Sequence, residues 1–207
     1  MSWTTWLQLA GICLLGAMAP GPSLTMVLQQ TVNGGRLQGM VATLAHSMGV
    51  GLYAFAAAQG LALVLTTQPW LFRLLSWAGA AYLFWLGWQS LRSAGSLPQA
   101  SSGADSAPGP RSLLGAARAG LLVSLSNPHL AVFFIALLSQ FIAPHMPWSS
   151  QLLLVATAVS LDVGWYGLLV LLISQPWVLQ TLRSKARWID RCGGVLLMLL
   201  GLRTLLA

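Results

Sequence analysis

Two clusters of helix-breaking residues interrupt apolar runs that are long enough to cross a membrane. Pro20-Gly21-Pro22 lies in the first such run of the chain, and Asn127-Pro128 lies in the first run of its second half. Each proline removes a backbone donor and Gly21 adds conformational freedom, so both clusters release backbone amides and carbonyls. Released groups cannot face lipid and must be buried in protein or line a wet cavity. Such a cavity offers amides to a carboxylate and carbonyls to an ammonium group, the two ends of a zwitterion.

The spacing of the two clusters bears on whether they form a site. A proline kink is common in membrane helices, and either cluster alone would be interpreted as one. Broken helices at matching positions of two repeats are typical of the substrate site of a transporter. Because these clusters lie roughly half the chain apart, we interpret them as parts of one site near the middle of the membrane.

Asp162 is an acid in the middle of an apolar run, flanked by Val159, Leu161 and Val163. A charged Asp at the centre of a membrane helix costs about 2.5–3.5 kcal/mol, so such residues tend to be functional. A protonated form could carry a proton across the membrane. Alternatively, the ionised form pairs with a substrate amine, or the side chain makes a structural hydrogen bond between helices. Trp165 and Tyr166 follow at i+3 and i+4 and are expected on the same face, where Tyr166 could bind the carboxylate or the substrate.

Two histidines are further candidates for proton coupling. His46 lies in the second apolar run, and His129 follows the Asn127-Pro128 break. Either could relay protons or bind a ligand, or simply donate to a neighbouring carbonyl. Gln59 and Gln140 face the cavity or bond neighbouring helices. The chain has no spacing typical of a metal site and no Gly-rich nucleotide loop with Lys, so we predict no cofactor and no metal.

The composition excludes a soluble protein. Charged residues make up 6% of the 207 residues and hydrophobic residues 57%, whereas soluble domains carry about 25% charged residues. The solvent for such a surface must be lipid. A net charge of +7 could suggest nucleic-acid binding, but the basic residues cluster at segment ends, as topology determinants do. Cys13 and Cys192 both lie in apolar runs and imply no disulfide framework.

Six apolar segments are long enough, or nearly so, to cross a hydrocarbon core. The sequence therefore predicts an all-α polytopic membrane protein. The predicted spans are Trp3–Leu28, Leu37–Thr66, Trp70–Leu91, Leu113–Ile142, Trp148–Ile173 and Trp188–Leu206.

A segment rich in Ser, Ala, Gly and Pro separates the third and fourth spans and is predicted to be a flexible tether. It divides the chain into a first three-helix repeat (1–92), a cytoplasmic linker (93–111) and a second three-helix repeat (112–207). Three is an odd number, so the second repeat must enter the membrane from the opposite side. The two repeats are therefore expected to be inverted.

The distribution of basic residues predicts the orientation. The loops after the odd-numbered spans, with their flanks, hold eight basic residues, whereas the opposite face has only Arg73 and Arg203 near helix ends. This asymmetry places the odd-numbered loops in the cytoplasm and both termini outside. The eight are Arg36, Arg92, Arg111, Arg118, Arg183, Lys185, Arg187 and Arg191.

Several short motifs, in order along nearly the whole chain, resemble those of the lysine exporter (LysE/RhtB) family. This chain has His129 after the Asn-Pro pair, where many members have Lys, and Val50 after Gly49, where members often have an acidic or polar residue. The motifs are Ala19-Pro20-Gly21-Pro22, Asn33-Gly34-Gly35-Arg36, Ser126-Asn127-Pro128 with Phe133-Phe134, Gln140-Phe141, Asp162-Val163-Gly164-Trp165-Tyr166, and Gly194 through Gly201-Leu202-Arg203.

The resemblance implies a multi-pass exporter of amino acids or related small metabolites in the bacterial inner membrane, driven by the proton gradient, and not an enzyme. Because they occupy the matching motif positions, the resemblance assigns the transport role to Pro20, Gly21, Pro22, Asn127, Pro128 and Asp162. The expected partners are an amino acid or metabolite, protons and the lipid bilayer, with a homodimer as a further possibility and no nucleic acid. The alternative function is a passive channel or facilitator, and the sequence does not identify the substrate.

Overall fold

A computed structural model describes residues 2–19, 21–92, 112–172 and 176–206. Throughout these ranges the regular secondary structure is helical and no strand occurs, which confirms the predicted all-α class. Pro20 and the predicted linker 93–111 lie outside the described residues. The helices are α1 (Trp3–Met18), α2 (Pro22–Thr67), α3 (Pro69–Arg92), α4 (Leu113–Leu125), α5 (Pro128–Leu138), α6 (Trp148–Leu172) and α7 (Pro176–Leu206).

Helix length and composition identify the segments that can cross a membrane. Among the described residues, α2 and α6 each contain an 18-residue window of mean hydropathy 1.7. Helices α4 and α5 together form a third candidate, bent by 56° at the break between them. Helix α1 is apolar but has only 16 residues. By length and composition, the described residues therefore contain two helices that could cross a membrane, or three if the bent pair counts as one span.

Two predicted boundaries differ from the structure. The first span was expected to run to Leu28 and the second to begin at Leu37, with a loop between them; instead, α2 runs from Pro22 to Thr67 and is interrupted only at Gly35. The last span was expected from Trp188, whereas α7 begins at Pro176. The basic segment at 183–191 is polar by composition but still helical, because a helix does not have to end where the apolar part of its sequence ends.

Gly35 bends α2 because its backbone leaves the helical region. Its φ is 82° and its ψ is 175°, a conformation that is essentially restricted to glycine. A Cβ at this position would meet no atom within 4 Å, so the constraint is conformational and not steric.

Replacing Gly35 by Ala is therefore expected to destabilise the protein by about 1–2 kcal/mol, since an L-residue is strained in this backbone conformation. Gly164→Ala is the matched control, because Gly164 also has open space around it but has no positive φ. That change should be neutral or stabilising, as Ala favours a helix interior. Thermal unfolding of both purified variants in detergent measures the difference. If Gly35→Ala and Gly164→Ala unfold at the same temperature, the bend of α2 at Gly35 is contradicted.

Small residues allow the helices to pack closely. Helix α2 packs most extensively against α4 and α6, and α3 packs along α7. At the α3–α7 crossing, a Cβ on Gly201 would lie 2.5 Å from the Ala80 carbonyl oxygen. Because apolar burial does not drive association in lipid, such close backbone contact supplies the packing energy between membrane helices. The prediction that these small residues serve packing agrees with these contacts.

A buried apolar cluster lies between the two halves of the chain. We call it the floor cluster, because some of its members, among them Cys13, Val50 and Phe134, line the cavity described below. Its members come from α1, α2, α3, α5, α6, α7 and the turn after α5, and they include Leu9, Ile12, Ala54, Ala58, Leu137 and Leu154.

Candidate functional site

The two predicted breaks separate α1 from α2 and α4 from α5. In each case proline occupies the first helical position, where its missing N–H breaks no helical hydrogen bond. Pro22 begins α2 and Pro128 begins α5. Gly21 has extended backbone (φ −160°, ψ −173°) that any residue adopts, so the conformational freedom predicted for it is not needed here.

The first backbone amides of α2 and of α5 differ in their hydrogen-bond partners. Asn127 caps α5, and its Oδ1 accepts a hydrogen bond of 3.0 Å from the His129 amide. No side chain caps α2 at Gly21. A helix amino terminus with free amides attracts anions, because its amides carry partial positive charge. The α2 terminus is therefore the better anion site of the two.

A cavity of about 330 Å³ joins the two breaks, a volume typical of small-molecule sites. All helices that supply predicted site residues contribute to its wall. The predicted residues that line it are Gly21, Pro22, His46, Asn127, His129, Asp162 and Tyr166.

Asp162 lies in the cavity wall on α6 and is 7% exposed. Its Oδ2 accepts a hydrogen bond of 2.5 Å from Ser47 Oγ on α2. The same oxygen lies 4.0 Å from His46 Nε2. Within the described part of the chain Oδ1 has no hydrogen-bond partner. The carboxyl is therefore fixed through one oxygen and leaves the other available to a ligand in the cavity.

Tyr166 connects Asp162 to the amino terminus of α2. Its ring meets the His46 ring edge-on at a centroid distance of 5.7 Å. Its hydroxyl interacts with the side chain of Ser23, the second residue of α2. Among the described contacts it makes no hydrogen bond to the Asp162 carboxylate, which was one of the two partners suggested for it. The acid and the uncapped helix terminus belong to one continuous wall of side chains, which we call the acidic wall (Ser23, His46, Ser47, Asp162 and Tyr166).

A further part of the cavity wall is formed by α3, α5 and α7. Tyr82 on α3 and His129 on α5 are hydrogen-bonded there, with 3.2 Å between the hydroxyl and Nδ1. Apolar side chains surround this pair, namely Leu86, Leu130, Phe133 and Leu197. We call this surface the α3–α5 wall. It combines one polar pair with an apolar lining.

Two predicted site residues, Pro128 and Trp165, do not line the cavity, and Pro20 is outside the described residues. The indole Nε1 of Trp165 is buried and has no hydrogen-bond partner among the described residues. Gln59 donates to Gln151 Oε1 at 2.9 Å, so it bonds two helices. Gln140 likewise donates to the Ser76 carbonyl at 3.2 Å.

Sequence reasoning missed Ser23, Ser47 and Tyr82. A serine in a membrane helix usually forms a hydrogen bond with the backbone of its own helix. The presence of a serine in the sequence therefore does not predict a partner on another helix. Tyr82 lies in a segment where aromatic residues are frequent, and nothing in its spacing distinguishes it from lipid-facing neighbours.

The charges of the cavity limit its chemistry. Among the described residues no Lys or Arg lines it, so an anionic group can be met only by amides and neutral donors. Across the described ranges no group of three His, Cys, Asp or Glu side chains could hold a metal ion. The arrangement can bind a small ligand through one carboxyl, helix-terminal amides and neutral polar side chains.

Comparison with known proteins identifies the family. The Threonine efflux protein of Escherichia coli (strain K12) is 29% identical over 195 residues, covering 92% of each chain. The Homoserine/homoserine lactone efflux protein of Salmonella typhimurium is 30% identical over 206 residues, covering 97% of this chain and 96% of the relative. No solved structure matches significantly. The sequence model of the LysE type translocators matches residues 14–207. Because this match spans nearly the whole chain, the protein belongs to the LysE type translocator family.

Proposed function

We propose that the protein is a secondary exporter of amino acids or related small metabolites in the bacterial inner membrane, working by proton antiport. The observation that carries the proposal is the cavity in which both helix breaks meet a buried carboxyl. The relatives support it, since their names describe efflux of threonine, homoserine and homoserine lactone.

The acidic wall matches the two charges of a zwitterion. The free Oδ1 of Asp162 accepts the substrate ammonium group. The uncapped amides at the start of α2 donate hydrogen bonds to the carboxylate, as helix termini do to anions in other transporters. Ser23, Tyr166 and His46 connect these two places, so both substrate groups bind on the same wall.

Coupling follows from competition for one carboxyl. Asp162 is expected to hold either a proton or the substrate ammonium group, because the two occupy the same oxygen atoms. His46, 4.0 Å from Asp162, is the group through which the proton would arrive or leave. A proton bound from the outside would thus displace the substrate, and this exchange is antiport.

The pattern of helix packing supports two inverted repeats. Helix α1 packs on α6, and α4 packs on α2, so each half's first helix contacts the other half's long helix. Helices α3 and α7, the last of each half, pack on each other. A two-fold axis in the membrane plane would generate these pairs. With the basic residues in the cytoplasm, both termini are periplasmic.

The floor cluster favours a carrier over a channel. Its members Leu9, Leu137 and Leu154 are almost completely buried and belong to the same packed cluster as residues that line the cavity. The cavity also reaches Gln89 and Ser90, near the exposed Arg92. Packed apolar side chains of this kind would block a continuous aqueous path, and substrate would enter from the cytoplasmic side.

Transport into inverted membrane vesicles tests the proposal. Respiring inverted vesicles are acidic inside, so an antiporter should accumulate radiolabelled L-threonine or L-homoserine several-fold above the outside concentration. An uncoupler should abolish the accumulation. L-lysine serves as the comparison, since a second positive charge finds no second acid among the described cavity residues. Uptake that only equilibrates and ignores the uncoupler would identify a facilitator and contradict the proposal.

A further inference from the structure

The Tyr82–His129 pair is a polar contact on an otherwise apolar wall. His129 lies in the first turn of α5, and its imidazole Nδ1 is 3.2 Å from the Tyr82 hydroxyl. Its Nε2 has no hydrogen-bond partner among the described residues, and the side chain is exposed to the cavity. A polar side chain that lines a binding cavity and has a nitrogen without a protein partner is available to a ligand.

The hydrogen bond determines which imidazole nitrogen carries the proton. A neutral imidazole has one donor and one acceptor nitrogen. A phenol donates to an imidazole nitrogen more readily than it accepts from one, so the Tyr82 hydroxyl donates to Nδ1. His129 therefore presents Nε2–H as a donor to the cavity.

The place of the donor determines which substrate atom it can meet. This step rests on the proposed function, in which Asp162 binds the ammonium group. The ammonium and carboxylate share one carbon atom, so both stay near the acidic wall. Helix α3 packs against α5 and α7, whereas α6 packs against α1 and α2. The substrate side chain is therefore the part that extends to the α3–α5 wall.

We propose that His129, positioned by Tyr82, binds an oxygen atom of the substrate side chain and so selects hydroxylated amino acids over apolar ones of the same shape. The surrounding residues accept the aliphatic part of such a side chain but offer it no hydrogen bond. An apolar pocket alone discriminates weakly against an added hydroxyl, whereas a donor built into the wall favours it. His129 is the specificity-determining residue, and Tyr82 acts through it.

Threonine and valine provide the test, because they have nearly the same shape and differ in the hydroxyl. Uptake of both is measured in inverted vesicles with the full-length protein, as the ratio of their kcat/KM values. For the wild type we expect a preference for threonine of about tenfold, the effect of one hydrogen bond. Tyr82→Phe and His129→Asn should lower this ratio to about 1–3, mainly through a higher KM for threonine.

Two further variants separate specificity from structure. Gln places its amide near the position of Nε2, so His129→Gln should keep the preference, and Tyr82→Phe should not alter it in that background. His145→Asn is the control, because His145 is exposed, does not line the cavity, and has φ 57°, which Asn accepts. This control should behave as the wild type.

The possible failures are distinguishable. If the wild type accumulates no amino acid, the proposed function is wrong. If it transports threonine but all variants keep its threonine-to-valine ratio, the role of His129 is wrong and the proposed function stands. A loss that is equal for both substrates would indicate a structural role and would also overturn the inference.

Discussion

Asp162→Asn is expected to abolish uphill efflux while leaving membrane insertion and folding intact. The amide cannot carry a proton through the transport cycle, and it cannot neutralise a substrate ammonium group. Its carbonyl oxygen still accepts the hydrogen bond from Ser47 at nearly the same position, since Asn and Asp have the same shape. The variant therefore removes the charge and keeps the packing.

The expected loss is large because coupling is all that sustains a gradient. One charge that crosses 100 mV supplies about 2.3 kcal/mol, and the pH difference adds to it. For a fully coupled exchange, this free energy corresponds to a substrate gradient of at least about fiftyfold per proton. Without coupling, the variant can at most equilibrate its substrate, so the accumulation ratio should fall to about one.

Inverted vesicles measure the accumulation of L-threonine by the variant, and size-exclusion chromatography of a fluorescent fusion checks that it folds. Asp105→Asn is the control. It removes another of the three acids of the chain, from the predicted linker, and should leave accumulation unchanged. Uncoupler-sensitive accumulation by Asp162→Asn at the wild-type level would exclude Asp162 from the mechanism.

The helix breaks and the buried acid were predictable because each violates a strong local rule. Proline inside an apolar run must interrupt helical hydrogen bonds, and an acid in lipid needs a reason to be there. The family match confirms the resemblance drawn from these motifs, and with it a transport protein rather than an enzyme. The predicted roles of the individual residues remain predictions.

The contacts of the site could not be predicted, because they depend on how helices rotate against each other. Trp165 and Tyr166 illustrate this limit. Residues at i+3 and i+4 lie about 60° to one side and 40° to the other side of Asp162 around the helix. Both were expected to face the site, yet Tyr166 lines the cavity and Trp165 does not. Ser47 and Tyr82 became identifiable only after α2 and α3 were placed against their neighbours.

Helix packing leads to the second large effect, at Gly194 on α7. A Cβ built there would lie 2.7 Å from the Gly87 carbonyl oxygen and 3.2 Å from Leu91 Cγ. The oxygen belongs to the α3 backbone, which cannot rotate away as a side chain can. Gly194→Ala should therefore force α3 and α7 apart and destabilise the protein by about 3 kcal/mol, the upper part of the range for overpacking.

The adjacent Gly193 provides the matched control. A Cβ there would meet Leu15 Cβ at 3.6 Å, an ordinary van der Waals contact. Both substitutions gain the same helix propensity, about 1 kcal/mol, so the difference between the two variants isolates the contact with α3. For a chain of this size, 3 kcal/mol corresponds to a midpoint lower by roughly 6–12 °C in thermal unfolding.

The comparison also tests the arrangement of the two repeats. Helices α3 and α7 end the two halves of the chain, and their crossing is the most direct contact between corresponding helices. If Gly194→Ala and Gly193→Ala unfold at the same temperature, the two backbones do not meet at this crossing. The proposed two-fold relation between the halves would then lose the contact on which it most depends.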